Sequence, residues 1–116
     1  MRHRKKGKIL DRKKESRKAL LRSLTTSLIL FEKIKTTEAK AKALKPIIEK
    51  LITKGKKGDL MTRRELSKYL YVNNAVKKVL EDLSPRYKDK KGGYTRIIKL
   101  GTRSGDAAKI VQIEFV

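Results

Sequence analysis

The first eighteen residues, MRHRKKGKILDRKKESRK, contain ten Lys and Arg but only two acidic residues. Like charges at this density repel one another, and the whole chain has the same problem, because its formal net charge is +21 over 116 residues. Such self-repulsion opposes a compact fold, and a nearby polyanion relieves it. The sequence therefore predicts a small folded core that works beside a strongly negative partner.

The chain is predicted to form one domain behind a basic tail. Residues 1–8 contain no apolar side chain after Met1. Nothing in them can be buried, so we predict an extended basic tail over residues 1–10 that orders on binding. The remaining residues, 11–116, have the length of a single small domain, and a hydrophobic content of 38% suffices for one modest core.

Hydrophobic spacing predicts four helices and a C-terminal hairpin. Apolar residues recur at helical spacing in four stripes: Leu20, Leu21, Leu24, Leu28 and Phe31; Leu44, Ile47, Ile48 and Leu51; Leu66, Tyr69 and Leu70; Val76, Val79, Leu80 and Leu83. Segments 94–100 and 109–116 have strand patterns, and the glycines between them favour a hairpin loop. With the β-branched segment 32–37, the sequence predicts an α+β fold in which four helices pack on a small mixed sheet, made of a short central strand plus the hairpin.

Capping residues predict where these helices begin. In chain order, the expected caps are Asp11, Thr37, Thr62 with Glu65 three residues later, and Asn73 or Asn74. Pro46 falls inside the second helix and predicts a kink or a restart, because proline removes one helical hydrogen bond and clashes with the preceding turn.

The sequence offers few residues that could catalyse a reaction or bind a metal ion. His3 is the only histidine and lies in the basic tail, without the partner or pocket that a general base needs. A stacking or phosphate-contacting role suits His3 better, with a solvated bystander as the alternative. The chain has no cysteine, its carboxylates lie close to Lys or Arg, and its glycine pairs do not form a nucleotide-binding loop. We therefore expect no cofactor, no metal ion and no small-molecule substrate.

Two classes of polyanion remain, and nucleic acid is favoured over a membrane surface. No apolar run approaches the ~18 residues of a membrane span, and residues 11–18 lack the apolar flank of an interfacial helix. Each phosphate neutralised by a cation releases counterions, which drives binding to nucleic acid. Aromatic residues make up only 5%, too few for a single-strand stacking platform. Basic residues spread over a tail, a helix start, a linker and a hairpin suit the shape and phosphates of folded RNA.

Two local features outside the basic N-terminus are candidate phosphate contacts. Thr36 and Thr37, between Lys35 and Lys40, precede a helix whose N-terminus favours an anion, although ordinary capping explains them equally well. The glycines at 92, 93, 101 and 105 either form simple turns or let a phosphate approach the backbone closely. The basic residues Lys90, Lys91, Arg96 and Arg103 beside them favour the second interpretation.

Five sequence blocks carry a family resemblance. MRHRKKGKIL, IKTTEAKAKAL, GDLMTRRELSKYL, SPRY and GGYTRIIKLGTRSGDAA follow one another in this order. The chain thereby resembles, from end to end, the family of the seventeenth protein of the bacterial large ribosomal subunit. The resemblance implies a structural, cytoplasmic ribosomal protein and not an enzyme. Its expected partners are large-subunit rRNA and neighbouring large-subunit proteins, near the exit of the nascent-chain tunnel.

The resemblance adds Arg86 and Tyr94 to the predicted RNA-binding residues. The complete set is Arg2, His3, Arg4, Lys5, Lys6, Lys8, Arg12, Lys13, Arg17, Lys35, Thr36, Thr37, Lys40, Arg86, Lys91, Gly92, Gly93, Tyr94, Arg96 and Arg103. Two other functions would need features of their own. A DNA-compacting protein needs a dimer interface or a minor-groove wedge, and an RNA-processing enzyme needs a convergent acid–base or metal cluster. The sequence indicates neither.

Overall fold

Helices and strands follow one another in the order that the hydrophobic pattern predicts. The computed structural model describes residues 14–116. The elements are α1 (Lys14–Phe31), β1 (Lys33–Thr37), α2 (Glu38–Gly55), α3 (Leu60–Tyr69), α4 (Asn73–Lys78), β2 (Thr95–Thr102) and β3 (Lys109–Phe115). A π-helical turn (Val79–Leu83) and a short helical segment (Ser84–Arg86) continue α4 directly. The predicted α+β class, with four helices and a small sheet, is confirmed. The expected cap Asp11 lies outside the described residues.

The sheet has three strands in the order β1-β3-β2, and both pairings are antiparallel. The sheet is therefore not mixed, and its centre is β3, while the short strand β1 lies at an edge. The β2–β3 pairing follows from a local hairpin. The β1–β3 pairing, in which Ile34 lies opposite Ile113, joins segments separated by all the later helices, so no local turn reveals its direction.

The core lies between one face of the sheet and the helices. The largest fully buried side chains include Leu28 and Ile29 of α1, Leu44, Ile48 and Ile52 of α2, Leu83 after α4, and Val111 and Ile113 of β3. Each such side chain stabilises the fold by about 1.5–3 kcal/mol relative to leaving it in water. None of the helices between residues 14 and 116 is long and apolar enough to cross a bilayer.

Helix α2 is continuous through Pro46, so of the two expectations, a kink or a restart, the restart is wrong. Pro46 is exposed, and a carbonyl group left without its helical donor on that side can bond to water. The expected cap of α3 is also wrong. Asp59 is the N-cap, its side chain accepts a hydrogen bond from the Thr62 backbone at 2.8 Å, and Thr62 is buried inside the helix.

Two further sequence expectations fail at helix ends. The N-cap position of α4 is Val72, so Asn73 is already the first helical residue. Phe31 was expected on the buried stripe of α1 but is 70% exposed. It is the last residue of α1, and the chain turns away immediately afterwards at Glu32, which adopts a φ of 65°.

The end of α2 packs closely against the π-helical turn. A Cβ atom at Gly55 would overlap Ser84 Oγ and lie 2.9 Å from Val79 Cγ1. Ser84 Oγ in turn donates a hydrogen bond to the Ile52 carbonyl at 3.2 Å. Glycine is required here by close packing and not by backbone conformation, since Gly55 has no positive φ.

Candidate nucleic-acid interface

Residues 14–116 carry 26 Lys and Arg against 11 Asp and Glu, a formal charge of +15. Only six of these basic residues form ion pairs: Lys42, Lys54, Lys78, Arg86, Arg96 and Arg103. The other twenty have no acidic partner within this part of the chain. Cations in such excess over their acidic partners are typical of a surface that binds a polyanion.

The basic N-terminal half of α1 is the first candidate surface. Arg17 was predicted to bind RNA and is partly exposed, while Lys14 and Lys18 beside it are exposed. The remaining N-terminal predictions lie outside the described residues, and these are Arg2, His3, Arg4, Lys5, Lys6, Lys8, Arg12 and Lys13.

The face of the sheet that points away from the helices is the second candidate surface. Strand register places two rows of residues across it: Lys33, Glu114 and Arg96; then Lys35, Gln112 and Ile98. The predicted residues Lys35 and Arg96 therefore share a face, although they belong to β1 and β2. Arg96 Nη2 contacts Glu114 Oε2 at 2.8 Å, and this hydrogen bond lowers the pKa of Glu114. The lysines of this face form no ion pair within the described chain.

The start of α2 is less suited to an anion than the sequence suggests. Thr37 occupies the N-cap position, but its side chain makes no capping hydrogen bond. Glu38 follows in the first turn, where a carboxylate already complements the helix dipole. Lys42 lies 2.8 Å from Glu38 Oε1, and its hydrogen bond lowers the pKa of Glu38, which keeps this carboxylate charged. Thr36 and Lys40, both partly exposed, flank this helix end.

A loop before β2 and the second half of α2 form the third candidate surface. Glu49 anchors the loop, because its two carboxylate oxygens accept hydrogen bonds from the Gly93 backbone at 3.0 Å and from Thr95 Oγ1 at 3.1 Å. A cavity of about 300 Å³ opens beside this anchor, and its lining residues are Glu49, Lys50, Thr53, Lys54, Lys91, Gly92 and Tyr94. Three lysines thus converge on the loop that the sequence singled out.

The two glycines of this loop differ physically. Gly93 has a φ of 65°, a conformation that other residues adopt only with strain. Gly92 has no positive φ, and a Cβ atom built there meets no other atom within 4 Å. The fold therefore explains Gly93 as a turn residue, whereas nothing in the described chain requires glycine at position 92.

Tyr94 was predicted to bind RNA, but its ring is buried, with 1% of the residue exposed. Lys56 Nζ donates a hydrogen bond to Tyr94 Oη at 2.7 Å and also bonds to the Lys90 carbonyl. The bond from Lys56 lowers the pKa of Tyr94. Tyr94 thus belongs to the core, and its hydrogen bond with Lys56 helps to hold the Lys90–Gly93 loop in place.

Two predicted arginines have charges that the fold itself neutralises. Arg86 lies 2.7 Å from Glu32 Oε1 and 2.9 Å from Asp82 Oδ2. Arg103 lies 2.6 Å from Asp106 Oδ2 within the hairpin loop, and this hydrogen bond lowers the pKa of Asp106 to about 2. Each arginine thus already has an acidic partner, and a phosphate contact by either would add to an existing ion pair.

Sequence reasoning missed several members of these surfaces. Lys33 lies one row from Lys35 on the sheet, and strand alternation could have identified it. Lys50 and Lys54 are four residues apart on α2, which places them on one helical face next to the glycine loop. Only the folded chain shows that this face meets the loop. Among the described residues, no cluster of His, Asp or Glu could hold a metal ion.

Comparison with known proteins decides the family. A family model for ribosomal protein L17 matches residues 20–116. The chain belongs to the ribosomal protein L17 family. The "Large ribosomal subunit protein bL17" of Hydrogenobaculum sp. is 52% identical to it, over 100% of this chain and 99% of that protein. The proteins of the same name from Exiguobacterium sp. and Pelobacter propionicus are 52% and 48% identical, covering 92% and 100% of this chain and 96% and 91% of their own lengths.

Membership of the ribosomal protein L17 family confirms the resemblance drawn from the five sequence blocks. The family consists of structural components of the large ribosomal subunit, so this chain is a structural ribosomal protein and not an enzyme. The matched range contains the second and third candidate surfaces, whereas Lys14, Arg17 and Lys18 of the first surface precede it.

Proposed function

We propose that this chain binds large-subunit rRNA through phosphate contacts and thereby joins RNA segments within the large subunit, in the bacterial cytoplasm. The observation that carries the proposal is the group of twenty basic residues without an acidic partner among residues 14–116. A position near the exit of the nascent-chain tunnel, next to other large-subunit proteins, is part of the proposal and follows from the family resemblance.

The proposed interface consists of three groups of residues. The helix group is Lys14, Arg17 and Lys18; the sheet group is Lys33, Lys35 and Arg96; the loop group is Lys50, Lys54 and Lys91 with Gly92. Arg96 and Lys54 are ion-paired, but more than half of each side chain is exposed, and the other basic residues of the three groups have no acidic partner in the described chain. These groups belong to different elements of the fold, which favours contact with several folded RNA segments over one straight duplex groove. Tyr94 supports the loop group from within the fold, whereas Arg86 and Arg103 are exposed and stay predicted phosphate contacts.

The salt dependence of binding tests the proposal. The full chain is titrated with protein-free bacterial large-subunit rRNA over a range of salt concentrations. Replacing Lys50, Lys54 and Lys91 together by Ser should reduce the slope of log K against log salt by about 2–3, since each lost phosphate contact removes about 0.7–0.9. If replacing Arg63, Lys77 and Lys88 reduces the slope equally, the assignment of the loop group to RNA binding is wrong.

The matched control removes the same charge elsewhere. Arg63, Lys77 and Lys88 are exposed, form no ion pair within the described chain and lie outside the three groups. Their joint replacement by Ser should leave the slope nearly unchanged.

In a cell lysate, the tagged chain should sediment with the large subunit after DNase treatment. Sedimentation with chromosomal DNA would instead support a DNA-compacting protein.

A further inference from the structure

Tyr71 is an exposed aromatic ring backed by an arginine. All six aromatic residues of the chain lie in the described part, and only Phe31 and Tyr71 are mostly or half exposed, at 70% and 50%. The Arg22 guanidinium carbon lies 4.5 Å from the centroid of the Tyr71 ring. The ring therefore has a cation over one face and a large exposed surface, which no role in the core explains.

Arg22 is held in place by hydrogen bonds to α3. Its Nε donates to the Tyr69 carbonyl at 2.7 Å, and its Nη2 donates to the Lys68 carbonyl at 2.8 Å. These carbonyls belong to the last turn of α3, where helical donors are missing. Two bonds from one planar group fix the guanidinium against rotation. The Arg22 guanidinium is thus held over one face of the Tyr71 ring before any partner arrives.

The surroundings of this pair are basic. Lys14 and Lys18 precede Arg22 at intervals of four residues, so they lie on the same side of α1. Lys68, whose carbonyl accepts from Arg22, is exposed. The nearest acid along α3, Glu65, forms an ion pair with Lys54. An aromatic ring inside a cationic rim has the chemistry of a base-stacking site, where the rim contacts the phosphates and the ring contacts the base.

We propose that Tyr71 stacks on an unpaired base of large-subunit rRNA, with Arg22 on the opposite face of the ring and Lys18 and Lys68 beside the adjoining phosphates. This inference rests on the proposed function and adds a base contact to the phosphate contacts. A protein partner would need an apolar rim, and the cationic rim favours RNA. The only exposed apolar neighbour in sequence is Val72.

Two substitutions test the ring itself. Tyr71→Phe keeps the aromatic face, and its affinity for protein-free large-subunit rRNA should equal that of the unmodified chain. Tyr71→Leu keeps an apolar side chain without a π-face, and its affinity should fall by about tenfold, as for the loss of one stacked base. Thermal midpoints of both variants confirm that they fold. Equal affinity of the two variants would overturn the inference.

A fluorescence measurement gives an independent readout. The chain contains no Trp, so Tyr71→Trp introduces a single indole, which a stacked base should quench when rRNA is added. Phe31→Trp places an indole at the other exposed aromatic position and should not be quenched. An unquenched Tyr71→Trp variant that binds rRNA normally would overturn the inference and leave the proposed function intact. Failure of the unmodified chain to bind rRNA would instead remove the proposed function.

Discussion

Glu32 Oε1 accepts a hydrogen bond from Arg86 Nη1 at 2.7 Å, although 54 residues separate the two in sequence. Lys78 Nζ donates to the other carboxylate oxygen at 3.0 Å. Glu32 occupies the junction between α1 and β1, and its φ of 65° is unusual for a residue other than glycine. One carboxylate therefore ties this strained junction to α4 and to the helical segment that ends at Arg86.

Glu32→Gln should destabilise the fold in a pH-dependent way. The hydrogen bonds from Arg86 and Lys78 lower the pKa of Glu32 from 4.5 to about 2. A lowered pKa contributes stability that is complete above about pH 4.5 and is lost as the pH falls towards 2. At pH 7 the variant should lose about 1 kcal/mol of unfolding free energy, a value reduced by the partial exposure of the pair.

Urea denaturation at pH 7 and pH 3 measures this effect. The difference between Glu32→Gln and the unmodified chain should shrink at the lower pH. Glu81→Gln is the matched control, because Glu81 is exposed and forms no ion pair in the part of the chain that the structure describes. A difference at Glu32 that is independent of pH would show that the carboxylate charge contributes nothing.

Gly55→Ala should destabilise the fold, because the added methyl group meets Ser84 Oγ and Val79 Cγ1. Overpacking of this kind costs about 1–3 kcal/mol, since the neighbouring backbone or side chains must move. Thermal unfolding measures the loss. Intrinsic helix propensity alone would favour alanine at this position. An unchanged or higher midpoint would therefore contradict the close packing of α2 against the π-helical turn.

Gly92→Ala tests whether Gly92 only forms a turn or also lets a phosphate approach the backbone closely. The methyl group meets no protein atom and the backbone needs no positive φ, so the thermal midpoint should not fall. Affinity for large-subunit rRNA should fall severalfold, because the methyl group blocks approach to the loop backbone. Gly105→Ala makes the same test at the other candidate glycine without a positive φ, since its methyl group also meets nothing within 4 Å. Unchanged affinity at Gly92 would leave the glycine a simple turn residue.

The sequence predicts what depends on local periodicity and misses what depends on distant contacts. The stripe of Leu44, Ile48 and Leu51 and the alternation in β3 identify a helix and a strand, because burial follows the geometry of each element. The antiparallel pairing of β1 with β3 is non-local and was missed. So was Asp59 as the cap of α3, because Thr62 with Glu65 has the same spacing as a capping box.

The same limit applies to the candidate interface. Composition reveals the excess of cations but not which of them the fold neutralises. Arg103 and Asp106 are only three residues apart, so their ion pair can be expected from the sequence. The ion pairs of Arg86 with Glu32 and of Arg96 with Glu114 join distant residues and appear only after folding. Tyr94 is an aromatic residue of the kind that stacks on bases, but contacts from the end of α2 bury it. No sequence motif encodes those contacts.

Arg22→Lys should weaken both the fold and RNA binding while the net charge stays constant. Lysine offers a point charge without the planar fork that bonds the carbonyls of Tyr69 and Lys68. Loss of a charged hydrogen bond to these helix-end carbonyls should cost about 1–2 kcal/mol of unfolding free energy. Because the ring of Tyr71 would also lose its planar backing, affinity for rRNA should fall together with stability.

Arg17→Lys is the control for this last substitution. Arg17 lies on the same helix, is partly exposed and makes no side-chain hydrogen bond within the described chain, so lysine should replace it without a change in the thermal midpoint. If Arg22→Lys is as stable as Arg17→Lys, the hydrogen bonds to α3 do not hold α1 in place. If it is less stable but binds rRNA with full affinity, the backing of Tyr71 is unnecessary for binding. Only a joint loss of stability and of rRNA affinity supports a pair of Arg22 and Tyr71 that stabilises the fold and also binds RNA.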